Sequence, residues 1–349
     1  MTEETKKYYD VVIIGAGPAG LACAKGLAGS GKSILVLEQK DIIGPKICAG
    51  GLTRKDLKHI RIPAGLLDRE FRQLSLHTPL AGTVAEDPEV MIATIDRKKF
   101  ADWQLGELSG AKNVEIRTGC KVTAIDDDSV TVNGISAFKY GCLVGADGSF
   151  SRVRNFLGLR SEKVAIAIQY IVPNDKHTKM EYFLDAGLFK SWYAWIFPHE
   201  GYASIGCMCD PRYLSAKTLQ RNFDAWLRKN GIDVRGLKQQ GYGINYDYRG
   251  FKFRSGKIFL AGDAAGFASG LTGEGIYQAI VSGEEVAKTI LDEGYESPGI
   301  AHLLETKRMH ETAIKSVLRT GPFGNIFFAS LVPLIKNEKM ACRLLKYVD

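Results

Sequence analysis

The apolar positions near the N-terminus follow the order strand, turn, helix and strand. Residues 11–14 form a short run of Val and Ile, and the stretch GAGPAG follows it directly. Small residues at 19–28 predict a helix, and the apolar run at 33–37 predicts a second strand. This order is typical of an α/β unit that contributes to a parallel sheet.

The pattern changes to short apolar segments between residue 163 and about residue 250. The segments VAIAIQYIV, KMEYFL, WYAWIF and YASIGCM are separated by turn residues, which predicts an antiparallel sheet. A helix is predicted at 216–229, and residues 71–95 are predicted to add strands to this sheet. From residue 300 onward the pattern is helical.

These changes of pattern divide the chain into two domains and a tail. We predict an α/β fold, α+β overall, with a Rossmann-like domain, an inserted antiparallel β-sheet domain and C-terminal helices. The first domain is discontinuous and comprises residues 1–70, 96–160 and 251–299. The second comprises residues 71–95 and 161–250, and the helical segment comprises 300–349. A ligand site is expected in the cleft between the two domains.

Composition and charge exclude few classes of protein. The chain has 45% apolar and 24% charged residues, as ordinary folded proteins do. Its net charge is +7, and the basic residues are interleaved with acidic ones. This suits an acidic cofactor, an anionic substrate or a membrane surface, and no nucleic-acid partner is predicted. The seven scattered cysteines predict a reduced, cytosolic setting. No metal site is predicted.

No membrane-spanning segment is predicted. The stretch MTEETKKYYD lacks the apolar core of a secretory signal. The longest uncharged run, at 320–335, is shorter than the roughly 20 residues that a bilayer requires. The apolar C-terminal segment with its basic flanks leaves three alternatives: a cap over a substrate tunnel, packed core, or a peripheral contact with the inner face of the membrane.

The glycine-rich turn predicts a dinucleotide site. Gly15 permits the tight turn, Gly17 lets the backbone approach a pyrophosphate, and Gly20 lets the helix pack closely on the strand. Glu38 ends the second strand, where an acid can bond ribose hydroxyls and repels a 2′-phosphate. The residues predicted to bind the cofactor here are Gly15, Gly17, Pro18, Ala19, Gly20, Glu38 and Gln39.

Three later segments identify the dinucleotide as FAD through a resemblance. IDRKKFADW at 95–103, CLVGADGSFSRVRN at 142–155 and GKIFLAGDAAGFASGLTGEGIYQAI at 256–280 resemble, in this order, segments of the p-hydroxybenzoate hydroxylase-like flavoproteins. The resemblance implies an FAD site that includes Arg97, Val122, Asp147, Gly148, Gly262, Asp263, Gly273, Glu274, Gly275 and Ile276. The helix that starts near Ile276 would direct its N–H groups at the flavin pyrimidine.

Two local motifs narrow the family. GPKICAGGL resembles the Lys-x-Cys-Gly-Gly segment of geranylgeranyl reductases, with Ala49 where that family often has glycine. YAWIFP resembles the Tyr-x-Trp-x-Phe-Pro segment of the same family, whose aromatic residues line the substrate cavity. The resemblance implies that Cys48, Ala49 and Gly50 lie near the flavin, and that Cys48, Tyr193 and Trp195 act in catalysis. By alternation, Phe197 also faces the cleft, and Trp192, Ala194 and Ile196 face away.

The resemblance implies an FAD-dependent reductase that saturates isoprenoid double bonds of a prenylated lipid, quinone or related molecule. The proton donor is open between Cys48, a water molecule and another residue. NAD(P)H and a redox protein both stay open as the electron donor, because no second glycine-rich fingerprint is present. The alternatives are a flavin monooxygenase or halogenase of an aromatic substrate, with Lys46 as the halogenase lysine, and a flavin-binding sensor or carrier.

Overall fold

The computed structural model describes residues 7–173, 176–248 and 253–336. The strands are β1 (Lys7–Ile14), β2 (Ile34–Leu37), β3 (Gly51–Thr53), β4 (Arg69–Phe71), β5 (Gln73–His77), β6 (Gly82–Glu86), β7 (Ile92–Thr94), β8 (Val114–Arg117), β9 (Val122–Ile125), β10 (Ser129–Val132), β11 (Ser136–Gly145), β12 (Val164–Pro173), β13 (Met180–Leu184), β14 (Tyr193–Pro198), β15 (Tyr202–Cys209), β16 (Gln240–Asn245), β17 (Arg254–Ser255) and β18 (Ile258–Leu260). The helices are α1 (Pro18–Leu27), α2 (Arg54–Ile60), α3 (Arg97–Gly106), α4 (Arg152–Phe156), α5 (Ala186–Phe189), α6 (Ala216–Lys229), α7 (Ile276–Leu291), α8 (Pro298–Arg319) and α9 (Gly324–Lys336).

The first sheet has a parallel centre with the strand order β18-β11-β1-β2-β8. Strand β17 pairs antiparallel with β18 at one edge, and β9 and β10 extend from β11 as an antiparallel arm. In the register of the parallel centre, Ile14 pairs with both Leu37 and Gly145. The carboxyl ends of β1, β2 and β11 therefore meet at one edge, which is where ligands bind in open α/β sheets.

Helices α1 and α7 pack closely because small residues face each other between them. A Cβ at Gly283 of α7 would lie 2.2 Å from the carbonyl oxygen of Ala19 in α1. A Cβ at Gly26 would lie 2.7 Å from the Cβ of Ala287. The glycines thus allow α1 and α7 to pack closely along their lengths.

The second sheet has the order β16-β12-β15-β14-β13-β5-β6. Its described pairings are antiparallel, as the sequence predicts, except for β5 and β13, which run parallel. Strands β5 and β6 join this sheet, whereas β7 forms a separate small sheet with β3 and β4. Helix α6 covers the second sheet with the buried residues Leu219, Phe223, Trp226 and Leu227.

The C-terminal part of the described chain is helical, as the pattern predicts. Helices α8 and α9 follow each other, and α9 lies against β6 and α5. None of the helices in the described ranges is long and apolar enough to span a bilayer. The predictions for residues 337–349, including Cys342, lie outside the described residues.

Candidate active site

The turn after β1 has the backbone geometry that a bound pyrophosphate requires. Gly15 has φ of +101°, and a Cβ at this position would lie 2.4 Å from the carbonyl oxygen of Ala146. A Cβ at Gly20 would lie 1.9 Å from the carbonyl oxygen of Gly15, so Gly20 is a packing residue. Gly17, by contrast, has no atom within 4 Å of its Cβ position, which leaves open space beside the backbone. Among the predicted cofactor residues, Gly20 alone does not line the cavity described below.

Glu38 is fixed at the end of β2 by two backbone N–H groups. Ala16 N donates to Oε2 at 2.9 Å, and Lys40 N donates to Oε1 at 3.0 Å. Each carboxylate oxygen can accept more than one hydrogen bond, so both oxygens keep capacity for ribose hydroxyls. The first turn of α1 starts beside Glu38 without a side-chain cap, and its N–H groups stay available to an anion.

Arg97 is the first residue of α3 and lies in the cavity wall. Asp96 caps this helix, because its carboxylate accepts from Lys98 N at 2.8 Å and Lys99 N at 3.0 Å. The Nη1 of Arg97 lies 3.7 Å from Cys48 Sγ, and its Nε is buried without a partner in the described structure. A buried guanidinium N–H without an acceptor is costly, and a cofactor phosphate or ribityl oxygen would satisfy it.

Asp263 follows β18 and sits in a network of polar side chains. Its Oδ2 accepts from Lys46 Nζ at 3.1 Å and from Ser149 Oγ at 3.2 Å. Burial lowers the pKa of Lys46, but the negative charge of Asp263, together with Tyr242 and Cys48, offsets this, so the pKa is raised. Lys46 also lies over the ring of Tyr242 at 4.9 Å, and both partners stabilise its charge.

The N-terminus of α7 faces the same space as Asp263. Gly275 is its N-cap residue, and among the described residues no side chain caps it. A Cβ at Gly275 would lie 3.2 Å from Asp263 Oδ1. The N–H groups of this turn face the cavity in which the flavin pyrimidine is predicted to lie.

Asp147 has a local role in the structure. Its Oδ2 accepts from Arg152 N at 2.7 Å and so holds the start of α4. Its Oδ1 is buried without a partner in the described structure, and burial raises the pKa of this carboxyl. Gly148 has φ of +78°, and Val122 is buried in β9; both line the cavity beside Asp147.

The aromatic side chains of β14 alternate as the sequence predicts. Tyr193, Trp195 and Phe197 line the cavity, and the neighbouring Ala194 and Ile196 do not. The hydroxyl of Tyr193 donates to the carbonyl oxygen of Thr272, which ties the strand to the loop before α7. Trp195 Nε1 donates to Ser204 Oγ at 3.0 Å, so its polar group is satisfied. The sequence did not single out Tyr182 on β13, whose ring lies 5.4 Å from that of Tyr193 and 5.2 Å from that of Phe197.

The loop at 44–52, GPKICAGGL, is called the cysteine loop here, and β14 the aromatic strand; the two pack directly on each other. A Cβ at Gly51 would lie 2.9 Å from Cε2 of Phe197, and a Cβ at Gly50 would lie 2.5 Å from Cε1 of His199. The carbonyl oxygen of Cys48 accepts from Gln169 Nε2 at 3.5 Å. The two sequence motifs that are about 145 positions apart therefore form one contact surface in the fold.

One cavity of about 1290 Å³ is lined by the glycine-rich turn, Glu38, Arg97, Asp263, the start of α7 and the aromatic side chains of β14. It reaches from the glycine-rich turn past the aromatic side chains to Met309 and Val317 of α8 and Phe327 and Leu331 of α9. Pockets for one drug-sized ligand usually have about 300–1,000 Å³. The cavity therefore has room for a cofactor and for an apolar second ligand.

Comparison with known proteins identifies the class of protein. A family model described as pyridine nucleotide-disulphide oxidoreductase matches residues 9–164. The chain is 30% identical to an uncharacterized protein of Methanosarcina barkeri over 96% of its own length and 87% of the relative's. It is 27% identical to a geranylgeranyl diphosphate reductase of Rhodobacter capsulatus, covering 81% of this chain and 75% of that protein. It is also 27% identical to digeranylgeranylglycerophospholipid reductase 1 of Methanococcoides burtonii, covering 80% and 73%.

A solved structure has the same fold. The geranylgeranyl bacteriochlorophyll reductase-like protein of Thermoplasma acidophilum superposes with a TM-score of 0.79 at 20% identity, over 95% of this chain and 92% of that chain. The glycine-rich turn, Glu38, Arg97 and the uncapped N-termini of α1 and α7 all line one cavity, as an FAD site requires. The chain belongs to the geranylgeranyl reductase family of FAD-dependent oxidoreductases.

Proposed function

We propose that this protein reduces isoprenoid double bonds of a prenylated lipid, quinone or related molecule. The observation that carries the proposal is the single cavity, which continues from the FAD site into a wall of apolar and aromatic side chains. A flavin-binding sensor or carrier needs no such extension. A polyprenyl chain, in contrast, needs a long apolar space beside the flavin.

The aromatic side chains give the second ligand a suitable surface. An isolated alkene is a poor hydride acceptor, because nothing stabilises the carbanion that would result. Protonation that gives cationic character is therefore the favourable course, and aromatic faces attract cations. Tyr182, Tyr193 and Trp195 would hold the chain and stabilise this positive charge in a site that excludes water. Reduced FAD, when bound, supplies the hydride.

Cys48 would position the alkene or the cofactor. Its Sγ accepts from Gly50 N at 3.4 Å and lies 3.7 Å from Arg97 Nη1, so it links the loop to the predicted phosphate or ribityl partner. A thiol is a poor acid for an alkene. Replacing Cys48 with Ser tests this role: unchanged alkene turnover would remove Cys48 from the mechanism.

The test of the proposed reaction uses the purified protein with FAD, reduced chemically without oxygen. After addition of geranylgeranyl diphosphate or a geranylgeranyl lipid, we expect reoxidation of the flavin and a mass gain of the product in steps of two hydrogens. Absence of both with every prenyl compound would overturn the proposal. Oxygen-dependent hydroxylation, or halogenation, of an aromatic compound would support the alternative instead.

The electron donor and the membrane contact stay predictions. Reduction of the flavin by NADH or NADPH alone would indicate a nicotinamide donor, and failure of both would indicate a redox protein.

Two apolar side chains at the start of α9 are exposed. Phe323 directly precedes α9 and is 64% exposed, and Ile326 within α9 is 58% exposed, while the other face of α9 lines the cavity. Apolar residues on such a helix suit a peripheral membrane contact, which flotation with anionic vesicles would test.

A further inference from the structure

Two carboxyl groups lie together on the cavity wall, next to the cysteine loop. Asp56 is 2% exposed, and Glu274 precedes the N-cap of α7. Both line the cavity. One oxygen of each group, Asp56 Oδ1 and Glu274 Oε1, is buried without a hydrogen-bond partner in the described structure. Buried ionised oxygens without donors are costly, so the pattern indicates that a proton is present.

The hydrogen bonds of Asp56 fall on one oxygen. Thr53 N and Thr53 Oγ1 donate to Oδ2 at 2.7 Å and 2.8 Å, as the capping box at the start of α2. This arrangement satisfies Oδ2 as an acceptor and leaves Oδ1 as the atom that can carry a proton. The capping box also fixes the carboxyl group of Asp56 in place. Thr53 is the last residue of β3, and β3 directly follows Cys48 and Gly50 in the chain.

The charges around Asp56 favour its neutral form. Burial, followed by the negative charge of Glu274, raises the pKa of Asp56 to about 7, against the hydrogen bonds of Thr53 and the charge of Lys55. Lys55 Nζ lies 2.9 Å from Glu274 Oε2 and over the ring of Tyr277 at 5.2 Å. The negative charge of Glu274 disfavours ionisation of Asp56, so Asp56 is the group of the pair that holds a proton.

Glu274 connects this pair to the aromatic wall. Burial is the main reason that the pKa of Tyr193 is raised, and the negative charge of Glu274 is the second. The hydroxyl of Tyr193 donates to the carbonyl oxygen of Thr272, two positions before Glu274. The acid pair therefore lies beside the part of the cavity where the alkene would be held.

We propose that Asp56 is the proton donor of the reductase reaction and that Glu274 keeps Asp56 protonated. The inference rests on the proposed function. The O–H bond of Asp56 breaks, and the π electron pair of the alkene forms the new C–H bond with that proton. A hydride from the reduced flavin cofactor forms the second C–H bond, and Asp56 is left as a carboxylate that solvent reprotonates. An acid is most effective when its pKa lies near the working pH, which fits Asp56 better than a thiol.

The first test is spectroscopic and uses the protein without added substrate. Infrared spectra of the wild type across neutral pH should show a carboxyl C=O band that disappears on deprotonation near pH 7. Asp56→Asn should lack this titration. Glu274→Gln should move its midpoint to lower pH, because the neighbouring negative charge is gone. Thr53→Val should move the midpoint to higher pH, because a hydrogen bond to the carboxylate is lost.

The second test is the single-turnover reoxidation of the reduced protein by a geranylgeranyl compound. We expect Asp56→Asn to slow it by about 100-fold or more, the usual contribution of a general acid. The pH profiles of Glu274→Gln and Thr53→Val should shift in the same directions as their infrared midpoints, which a purely structural role of Asp56 would not produce. Wild-type rates in Asp56→Asn, or no titrating band, would overturn the inference alone. Absence of any alkene reduction by the wild type would overturn the proposed function and this inference with it.

Discussion

Nε2 of His199 lies 2.9 Å from the carbonyl oxygen of Ala49 and so joins the end of the aromatic strand to the cysteine loop. Nδ1 of the same ring lies 2.8 Å from Asp68 Oδ2. Both partners are acceptors, and both ring nitrogens donate when the imidazole is protonated. The side chains of His199 and Asp68 are 2% and 1% exposed, so these two contacts fix the loop from within the protein.

Asp68→Asn should destabilise the protein, since it leaves the buried His199 without its charged partner. We expect the free energy of unfolding to fall by about 3 kcal/mol at neutral pH, measured by urea denaturation. Burial raises the pKa of Asp68, but hydrogen bonds from His199 and Lys99 outweigh it and hold the pKa below its usual value. The folded state therefore binds fewer protons, and the difference between wild type and variant should shrink as the pH falls through the carboxyl range.

Glu200→Gln is the matched control for Asp68→Asn. Lys99 contacts both carboxylates, Asp68 at 2.8 Å and Glu200 at 3.2 Å, but Glu200 is 76% exposed. The control should change the free energy of unfolding by less than about 1 kcal/mol. Equal effects of the two substitutions would contradict a structural role of the contact between His199 and Asp68.

Gly206→Ala should disturb the aromatic wall. A Cβ at Gly206 would lie 2.3 Å from Cζ2 of Trp195 and 2.5 Å from the carbonyl oxygen of Ile168, so the indole must leave its place. We expect a loss of about 1–3 kcal/mol in stability and a change in Trp fluorescence. Gly241→Ala is the control. Gly206 lies in β15 and Gly241 in β16, on opposite sides of β12, and a Cβ at Gly241 would meet Cγ2 of Ile168 at an ordinary 3.5 Å. If Gly206→Ala changed neither the stability nor the Trp fluorescence, Trp195 would not be held against Gly206.

Arg97→Met should weaken binding of FAD. Hydrogen bonds to a charged group contribute about 1.5–3 kcal/mol, so the Kd should rise roughly 10- to 100-fold in a fluorescence titration. Lys98→Met removes the adjacent charge on the exposed side of α3, where Lys98 pairs with Asp102. This control should keep the wild-type Kd, and a comparable loss in both variants would contradict a direct contact of Arg97 with the cofactor.

The sequence predicts the parts of the site that depend on local pattern. The turn at Gly15, the acid at Glu38 and the alternation of Tyr193 and Trp195 each follow from residues close in the chain. The same alternation, extended past Pro198, points to His199, which belongs to no recognised motif of the sequence. Its partner Asp68 is 131 positions away and carries no local signal. Only the folded arrangement shows that pairing.

The apolar half of the cavity could not be derived from the sequence for a similar reason. The pattern identifies α9 as helical but leaves open which surface covers its apolar side. The structure places Phe327 and Leu331 in the cavity wall because α9 packs on β6 of the second sheet. Likewise, Asp56 reads as a helix-capping residue, and its closeness to Glu274 depends on α2 packing against α7.

The stability of the protein should depend on pH through Lys307. Its side chain is buried under Tyr246 and Tyr248, its Nζ donates to the carbonyl oxygen of Ala268, and burial lowers its pKa from 10.5 to about 7. Between these two values the unfolded chain binds more protons than the folded one, so stability rises with pH. Relative to Lys307→Met, the wild type should gain roughly 1 kcal/mol per pH unit above neutrality. A flat difference would show that Lys307 is charged in the folded state.

Tyr193 combines two contacts, and two substitutions separate them. Tyr193→Phe keeps the ring but loses the hydrogen bond to Thr272, whereas Tyr193→Leu loses the ring as well. If the ring face stabilises positive charge on the alkene, Tyr193→Phe should retain turnover within a few-fold. Tyr193→Leu should then lose roughly 10-fold or more in kcat, because a desolvated cation–π contact contributes about 2 kcal/mol.

The comparison depends on FAD binding being unaffected, so the Kd for FAD is measured in both variants. A rise in KM with unchanged kcat in Tyr193→Leu would mean that the ring only grips the chain and does not act on the developing charge. A larger loss in Tyr193→Phe than in Tyr193→Leu would assign the main effect to the hydrogen bond with Thr272. In that case the tie between β14 and the loop before α7 would matter more for the reaction than the aromatic face.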